Sequence, residues 1–449
     1  MAFMSPTDSL FLLTETDKQP MHVGGLLIFG APEDSTSSDL INQALEDRRV
    51  SDFLRNVAEP HFAGTAWTWR HDADIDFDQH VKRHQLPPGA SEGDLLALCA
   101  QLHSERLDRS RPLWEIHVIE GLPLDRFALY AKIHHSVADG VAALSLLRSR
   151  LSDDPDIREM PAPWVDAAPE EQPSHSGAGP LRSLVSLVKD GVSTAPALAD
   201  MTLRSLASRG GPLSISAPKT VFTQDISEER AYAAKSWPLE RLRLIAKSAD
   251  CTVNDVVLTM CAGGLREFLI EMGELPRKSL VAMVPVSMRP QSDDTTAGNQ
   301  VGLLTCSLGT NIPDARERLL HVSARMREGK NFIASHNATQ NLVTSAAAVA
   351  GLAPMVMLGR NLLVNPPFNV VISNIPGPSE PLYWNGALLE EIHPLSIPVS
   401  GLALNITCVS QCDRISVGLT AASDVVPEPD EIAVDIDSAL DELERSVGL

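Results

Sequence analysis

Apolar and polar positions change their period along the chain, and each change marks an element. In "FALYAKIHH" (127–135) they alternate, which predicts a strand. In "GVAALSLLRSRL" (140–151) Val141, Leu144, Leu147 and Leu151 recur at helical spacing, so a helix follows directly. A long apolar helix pattern with a Thr/Asn start occupies 251–273. Segments 279–289, 368–378 and 403–422 read as strands, the last a hairpin turning near Asp413. Helices and strands mix without a regular βαβ rhythm, which favours an α+β arrangement over a doubly wound sheet. Six prolines with Ser, Gly and acidic residues between Pro155 and Pro180 mark a linker or surface crossover. After it, 181–209 is amphipathic, with Arg182, Lys189, Arg204 and Arg209. It reads as a helix packed on the body or as an interfacial helix that meets lipid. The division expected is an N-terminal lobe over 1–150, a Pro-rich crossover over 151–218 and a C-terminal lobe over 219–449, since 449 residues exceed one ordinary core. Leu342 to Leu358 carries no charge but is interrupted by Gly351 and Pro354, and reads as buried helix rather than a span.

Composition narrows the function. The formal charge, 37 − 58 = −21, argues against a nucleic-acid partner and against docking on anionic lipid by net charge. Six cysteines form no paired CxxC set and no Cys/His ligand spacing, and Cys408 and Cys412 give only a weak pairing signal. The N-terminus has no basic leader and no long apolar core, so a reduced, cytoplasmic protein is expected. Gly-rich phosphate loops and the GxSxG elbow are absent from the sequence.

The candidate chemistry lies in "KIHHSVADGVAAL" (132–144), at the predicted strand-to-helix turn. Alternation puts His135 on the face of Leu129, Ala131 and Ile133, and His134 on that of Tyr130 and Lys132. Asp139 can cap the helix, and Gly140 allows a turn without a Cβ clash. Three readings compete. The histidines can be satisfied structural groups. They can be metal ligands, but no nearby third ligand exists, so no metal is expected. Or a neutral imidazole can serve as a general base, and without an evident Ser or Cys nucleophile direct transfer fits better than an acyl-enzyme.

"HHSVADG" matches the HHxxxDG signature of the coenzyme-A-dependent acyltransferase superfamily, which includes chloramphenicol acetyltransferase and peptide-synthetase condensation domains. "PTDSLFL" (6–12), "QPMHVGGL" (19–26), "RPLWEIHVIEGL" (111–122), "TVNDVV" (252–257), "VPVSMR" (284–289), "NVVISNIPGP" (369–378) and "LYWNG" (382–386) resemble, in this order, the blocks of bacterial wax ester synthase/diacylglycerol acyltransferases. The resemblance implies two similar lobes of the chloramphenicol acetyltransferase-like fold with a tunnel between them. Acyl-CoA would enter as co-substrate at one mouth and diacylglycerol or a long-chain alcohol at the other, with no further cofactor. It implies His135 as base, His134 as its support, and Asp139 beside Gly140 paired with an arginine, for which Arg289 is the candidate. Pro112, Leu113 and Trp114 would shape the site, although a rigid turn with a buried indole is the plainer explanation of them. Asn254 and Asp255 can cap the helix that follows them. Ser373 and Asn374 are polar strand-end groups or donors to a tetrahedral oxyanion. Thr223 stands where this family usually has asparagine. The expected activity is O-acylation giving triacylglycerol and wax esters, at a membrane or lipid-droplet surface to which the protein attaches peripherally. The alternatives are an acyltransferase loading a polyketide or peptide, and a non-catalytic lipid-binding protein.

Overall fold

A computed structural model describes residues 4–64, 66–166, 217–287, 301–335 and 366–449. Arg289, the amphipathic stretch 181–209 and the uncharged stretch 342–358 lie outside the described residues. In chain order the strands are β1 (His22–Gly30), β2 (Asn56–His61), β3 (Ala66–His71), β4 (Val81–Gln85), β5 (Trp114–Leu122), β6 (Arg126–His134), β7 (Arg230–Pro238), β8 (Val281–Ser287), β9 (Val301–Ser307), β10 (Val370–Pro376), β11 (Tyr383–Trp384), β12 (Ala387–Leu395), β13 (Leu404–Gln411) and β14 (Arg414–Ala422). The helices are α1 (Pro6–Thr14), α2 (Ser37–Glu46), α3 (Phe77–His80), α4 (Glu92–Ser104), α5 (Gly140–Arg148), α6 (Leu239–Ser248), α7 (Val253–Glu271), α8 (Ala315–Ser335) and α9 (Pro429–Ser446).

Two six-stranded sheets carry the fold, one ordered β11-β12-β1-β6-β5-β4 and the other β7-β14-β13-β10-β8-β9. Each mixes parallel and antiparallel neighbours, as β4–β5 and β10–β13 run parallel while β5–β6 and β13–β14 run antiparallel. The fold is thus α+β, and the hairpin read at 403–422 turns at Cys412, whose φ of 51° is left-handed. Cys408 is buried beside that turn, and all six cysteines are free thiols.

Among the described residues, the chain division is crossed in the first sheet itself. β11 and β12 belong by sequence to the 219–449 segment but complete the first sheet, with β12 antiparallel to β1 from Gly24↔Leu395 to Gly30↔Leu388. The reason is burial: Leu382, Trp384, Ala387, Leu389 and Ile392 all lie in the first lobe's core. The second core gathers α7, α9 and the inner face of the second sheet. There Gly264 is required by close approach, since a Cβ would stand 2.8 Å from the Ile436 backbone nitrogen. Among the described residues, no helix is long and apolar enough to cross a membrane.

Candidate active site

The two histidines end β6 and begin the turn into α5. Backbone bonds fix both: His134 N–H donates to Leu113 O at 2.9 Å, and His135 N–H donates to Met21 O at 2.8 Å. Asp139 is the N-cap of α5, its Oδ1 accepting from Ala142 N–H at 2.8 Å. Gly140 has an ordinary negative φ, so the turn itself does not demand glycine. The requirement is space instead: a Cβ there would meet Ile375 Cδ1 of β10 at 2.9 Å. That contact places the motif turn against the second sheet, at the seam of the lobes.

His134 is fully buried. Its Nδ1 accepts from Ser136 N–H at 3.1 Å and lies 2.6 Å from Ser136 Oγ. Because Nδ1 accepts, the ring N–H is at Nε2, which faces Glu15 Oε1 at 3.6 Å. Glu15 is itself buried and uses both oxygens, with Oε1 accepting from Met21 N–H at 3.1 Å and Oε2 from Arg109 Nε–H at 2.6 Å. Burial pushes the Glu15 carboxyl up, but His134, the Met21 amide and Arg109 outweigh it and leave it below the usual carboxylate range. His135 sits otherwise. It is half-buried, with its ring stacked on Phe11 at 4.1 Å and 19°. Burial lowers its pKa from the ordinary imidazole value, with Asp139 opposing the shift. The ring is neutral at pH 7 and can accept a proton.

The other blocks fall around this turn. Pro112, Leu113 and Trp114 are buried; Leu113 supplies the carbonyl that holds His134, and Trp114 Nε1 donates to Leu54 O at 2.7 Å. His80 stacks on the Trp114 indole at 4.6 Å. At the start of α7, Thr252 and Asp255 close a capping box, whereas Asn254 Oδ1 accepts from Asn374 Nδ2 at 3.3 Å. Asp255 therefore caps, and Asn254 does not: it ties α7 to β10. The pleat of β10 separates Ser373 from Asn374. Ile372 packs in the α7 core and Ile375 against the first lobe. Asn374 thus shares the helix-facing side, and Ser373 shares the side of Ile375 that faces the motif. The two side chains therefore leave β10 on opposite faces, and of the two Ser373 is on the face toward the motif turn. Thr223 closes a local turn with Thr220, Oγ1 donating to Thr220 O at 2.7 Å.

This arrangement has known counterparts. The profile described as "Wax ester synthase/diacylglycerol acyltransferase catalytic domain" matches residues 4–257, and the "WS/DGAT C-terminal domain" matches 297–444. The chain belongs to the wax ester synthase/diacylglycerol acyltransferase family. It is 39% identical over 455 residues to the Mycobacterium tuberculosis "Probable diacyglycerol O-acyltransferase tgs2", covering 100% of both chains. A Mycobacterium bovis relative, also named for diacylglycerol O-acyltransferase activity, is 40% identical over 467 residues, covering 99% of this chain and 91% of its own. The solved wax ester synthase/diacylglycerol acyltransferase from Marinobacter aquaeolei VT8 superposes with a TM-score of 0.78 at 34% identity over 100% of both chains. The first condensation domain of the CDA synthetase shares the fold, with a TM-score of 0.58 at 16% identity, covering 99% of this chain and 96% of its own. The protein is an acyltransferase of this family.

Sequence reasoning assigned no role to Phe11, Glu15, Met21 or Arg109, although "PTDSLFL" and "QPMHVGGL" were the family's blocks. Phe11 and Met21 lie inside those blocks, and Glu15 lies between them. Helical spacing from Phe11 to Glu15 was the available signal; Arg109 offered none.

Proposed function

We propose that the protein is an acyl-CoA-dependent O-acyltransferase that esterifies diacylglycerol to triacylglycerol and accepts long-chain alcohols to give wax esters. The observation that carries the reading is the neutral, half-buried His135, backbone-anchored and ring-stacked at the lobe seam. The names of the relatives supply the acceptor class. His135 removes the hydroxyl proton as the alcohol oxygen attacks the thioester carbonyl. The tetrahedral oxyanion receives a hydrogen bond from Ser373 on the motif-facing side of β10. The C–S bond then breaks, and the imidazolium returns its proton to the CoA thiolate. His134 takes no proton in this scheme; it is braced by Ser136 and Glu15 and holds the strand end. Asp139 and Gly140 keep the turn and α5 against β10. The scheme uses acyl-CoA as co-substrate and routes no step through a metal or bound cofactor. The site works beside the membrane or lipid-droplet surface from which its lipid acceptor comes, on a cytoplasmic protein attached peripherally.

The test is release of free CoA thiol by purified protein given a long-chain acyl-CoA, with diacylglycerol or hexadecanol supplied separately and the ester identified by mass spectrometry. No thiol release above the rate of His135→Ala with either acceptor would sink the reading and leave a lipid-binding protein. Flotation of the protein with liposomes, against a soluble control, tests the surface attachment.

A further inference from the structure

The first lobe carries a second cluster of chemistry-bearing side chains, on the α4-covered face of its sheet. Glu391 and His393 occupy alternate positions on β12, so their side chains share a face. His393 is 1% exposed, and neither of its ring nitrogens makes a hydrogen bond among the described residues. Its Nε2 stands 3.0 Å from Glu391 Oε2. α4 crosses over this face, and its first residue, Glu92, brings in a third donor. One ligand atom from each of Glu92, Glu391 and His393 lies within 4.8 Å of the others.

Glu92 is not needed by its own helix. Ser91 and Asp94 already close the capping box of α4, with Ser91 N–H donating to Asp94 Oδ2 at 2.7 Å. Glu92 has no hydrogen bond or ion pair among the described residues. Two carboxylates brought together beside a buried imidazole whose Nδ1 has no partner want a cation between them, because like charges at this range repel and an unpaired buried nitrogen is costly. We propose that Glu92, Glu391 and His393 form a binding site for a divalent transition cation of the zinc class. A mixed set of one imidazole and two carboxylates suits that class, and three protein ligands leave a fourth position for water. The bound cation would fasten α4 to β12, the strand that reaches the first sheet from the far end of the sequence. Glu92 is remote in sequence from the other two, which is why ligand spacing along the chain gave no sign of the set.

The test uses the full chain, purified with a chelator and then dialysed free of it. Zinc chloride is titrated by calorimetry, and the melting temperature is followed in parallel. One saturable site is expected, together with a rise in melting temperature. Glu92→Gln changes an exposed residue and should leave the fold intact, while weakening binding on the order of tenfold or more. His393→Gln should abolish the site and the thermal shift. Failure of zinc to bind, or binding that is the same in wild type, Glu92→Gln and His393→Gln, would overturn the proposal. In the first case Glu391 and His393 pair with each other alone; in the second the metal sits on other histidines.

Discussion

Two adjacent histidines receive different treatment from the fold, and their replacement should separate accordingly. His135 loses one ring stack when truncated, worth about 0.5–1.5 kcal/mol. His135→Ala should therefore melt close to wild type while acyl transfer falls by roughly 10²–10⁴-fold, the range of general-base assistance. His134→Ala removes both contacts to Ser136 and leaves the buried Glu15 facing a void. Its main effect should be a lower melting temperature with residual activity. Equal, complete inactivation of both variants with native stability would contradict this division. The pH dependence has a definite sign. The protonated ring cannot accept a proton, and burial sets the His135 pKa below the ordinary ~6.5. The activity of wild type should stay flat through neutrality and fall only at acid pH. A limb centred above pH 7 would point to another base. Gly140 is the third residue with a specific demand. Gly140→Ala pushes a Cβ into Ile375 Cδ1, which can swing aside, at a cost of about 1 kcal/mol, the low end for overpacking. Because that atom is the tip of the side chain, Ile375→Val should recover most of the loss in the double variant, measured by urea melts and by kcat.

At the scale of elements, the site is a clamp between α1, the turn after it and β6. Arg109 Nη2 donates to Leu12 O at 2.6 Å while its Nε holds Glu15, so one guanidinium ties the end of α1 to the carboxylate behind His134. The same carboxylate holds Met21 N–H, and Met21 O holds His135. Glu15→Ala leaves Arg109 without its charge partner, the Met21 N–H without an acceptor and His134 Nε2 without the carboxylate it faces. Breaking a buried pair costs about 3–5 kcal/mol, and the lower end applies because Arg109 reaches solvent. Glu15→Gln keeps the shape and removes the charge. Its signature is in the pH dependence. A carboxyl whose folded pKa is depressed contributes stability that is present above its unfolded pKa of ~4.3 and is lost as pH falls through the lower folded value. In acid denaturation monitored by circular dichroism, Glu15→Gln should be less stable than wild type at pH 7, and the gap should narrow as pH falls below the unfolded value of ~4.3. A constant gap across that range would mean the Glu15 charge is not held by the fold. This clamp also shows the limit of sequence reading. Strand, turn, cap and helix at 127–151 were legible because periodicity and capping are local. The partnership of Glu15 with Arg109 was not, because it joins segments 94 positions apart and leaves no periodic trace. Ser373 and Asn374 were legible as polar strand-end residues. Which of them faces the motif depends on which face of β10 meets which lobe.

At the scale of the molecule, the lobes are not two beads on a string. The hydrophobic pattern found β12 no home, because a strand pairs with whatever edge the fold offers and not with its neighbour in sequence. Had the 1–150 and 219–449 segments been independent, β1 would end the first sheet as an open edge carrying Leu26, Leu27, Ile28 and Phe29. β12 instead covers that edge and leans on the second lobe, where Tyr232 Oη donates to Pro394 O at 3.1 Å. A fragment covering residues 1–218 therefore lacks one flank of its sheet. It also lacks Leu382, Trp384, Leu389 and Ile392 from its core. Each such side chain is worth about 1.5–3 kcal/mol when buried, and four of them approach the whole of a typical domain stability of about 5–15 kcal/mol. The exposed apolar edge adds a template for aggregation. The fragment expressed alone should be insoluble, or associate with exposed apolar surface that binds a hydrophobic dye, and should show no cooperative melt. Co-expression with residues 219–449 should return a soluble, non-covalent complex that elutes at the size of the intact chain. A monomeric 1–218 fragment with sharp thermal unfolding would show that β12 is an ornament of the first lobe and not part of its core.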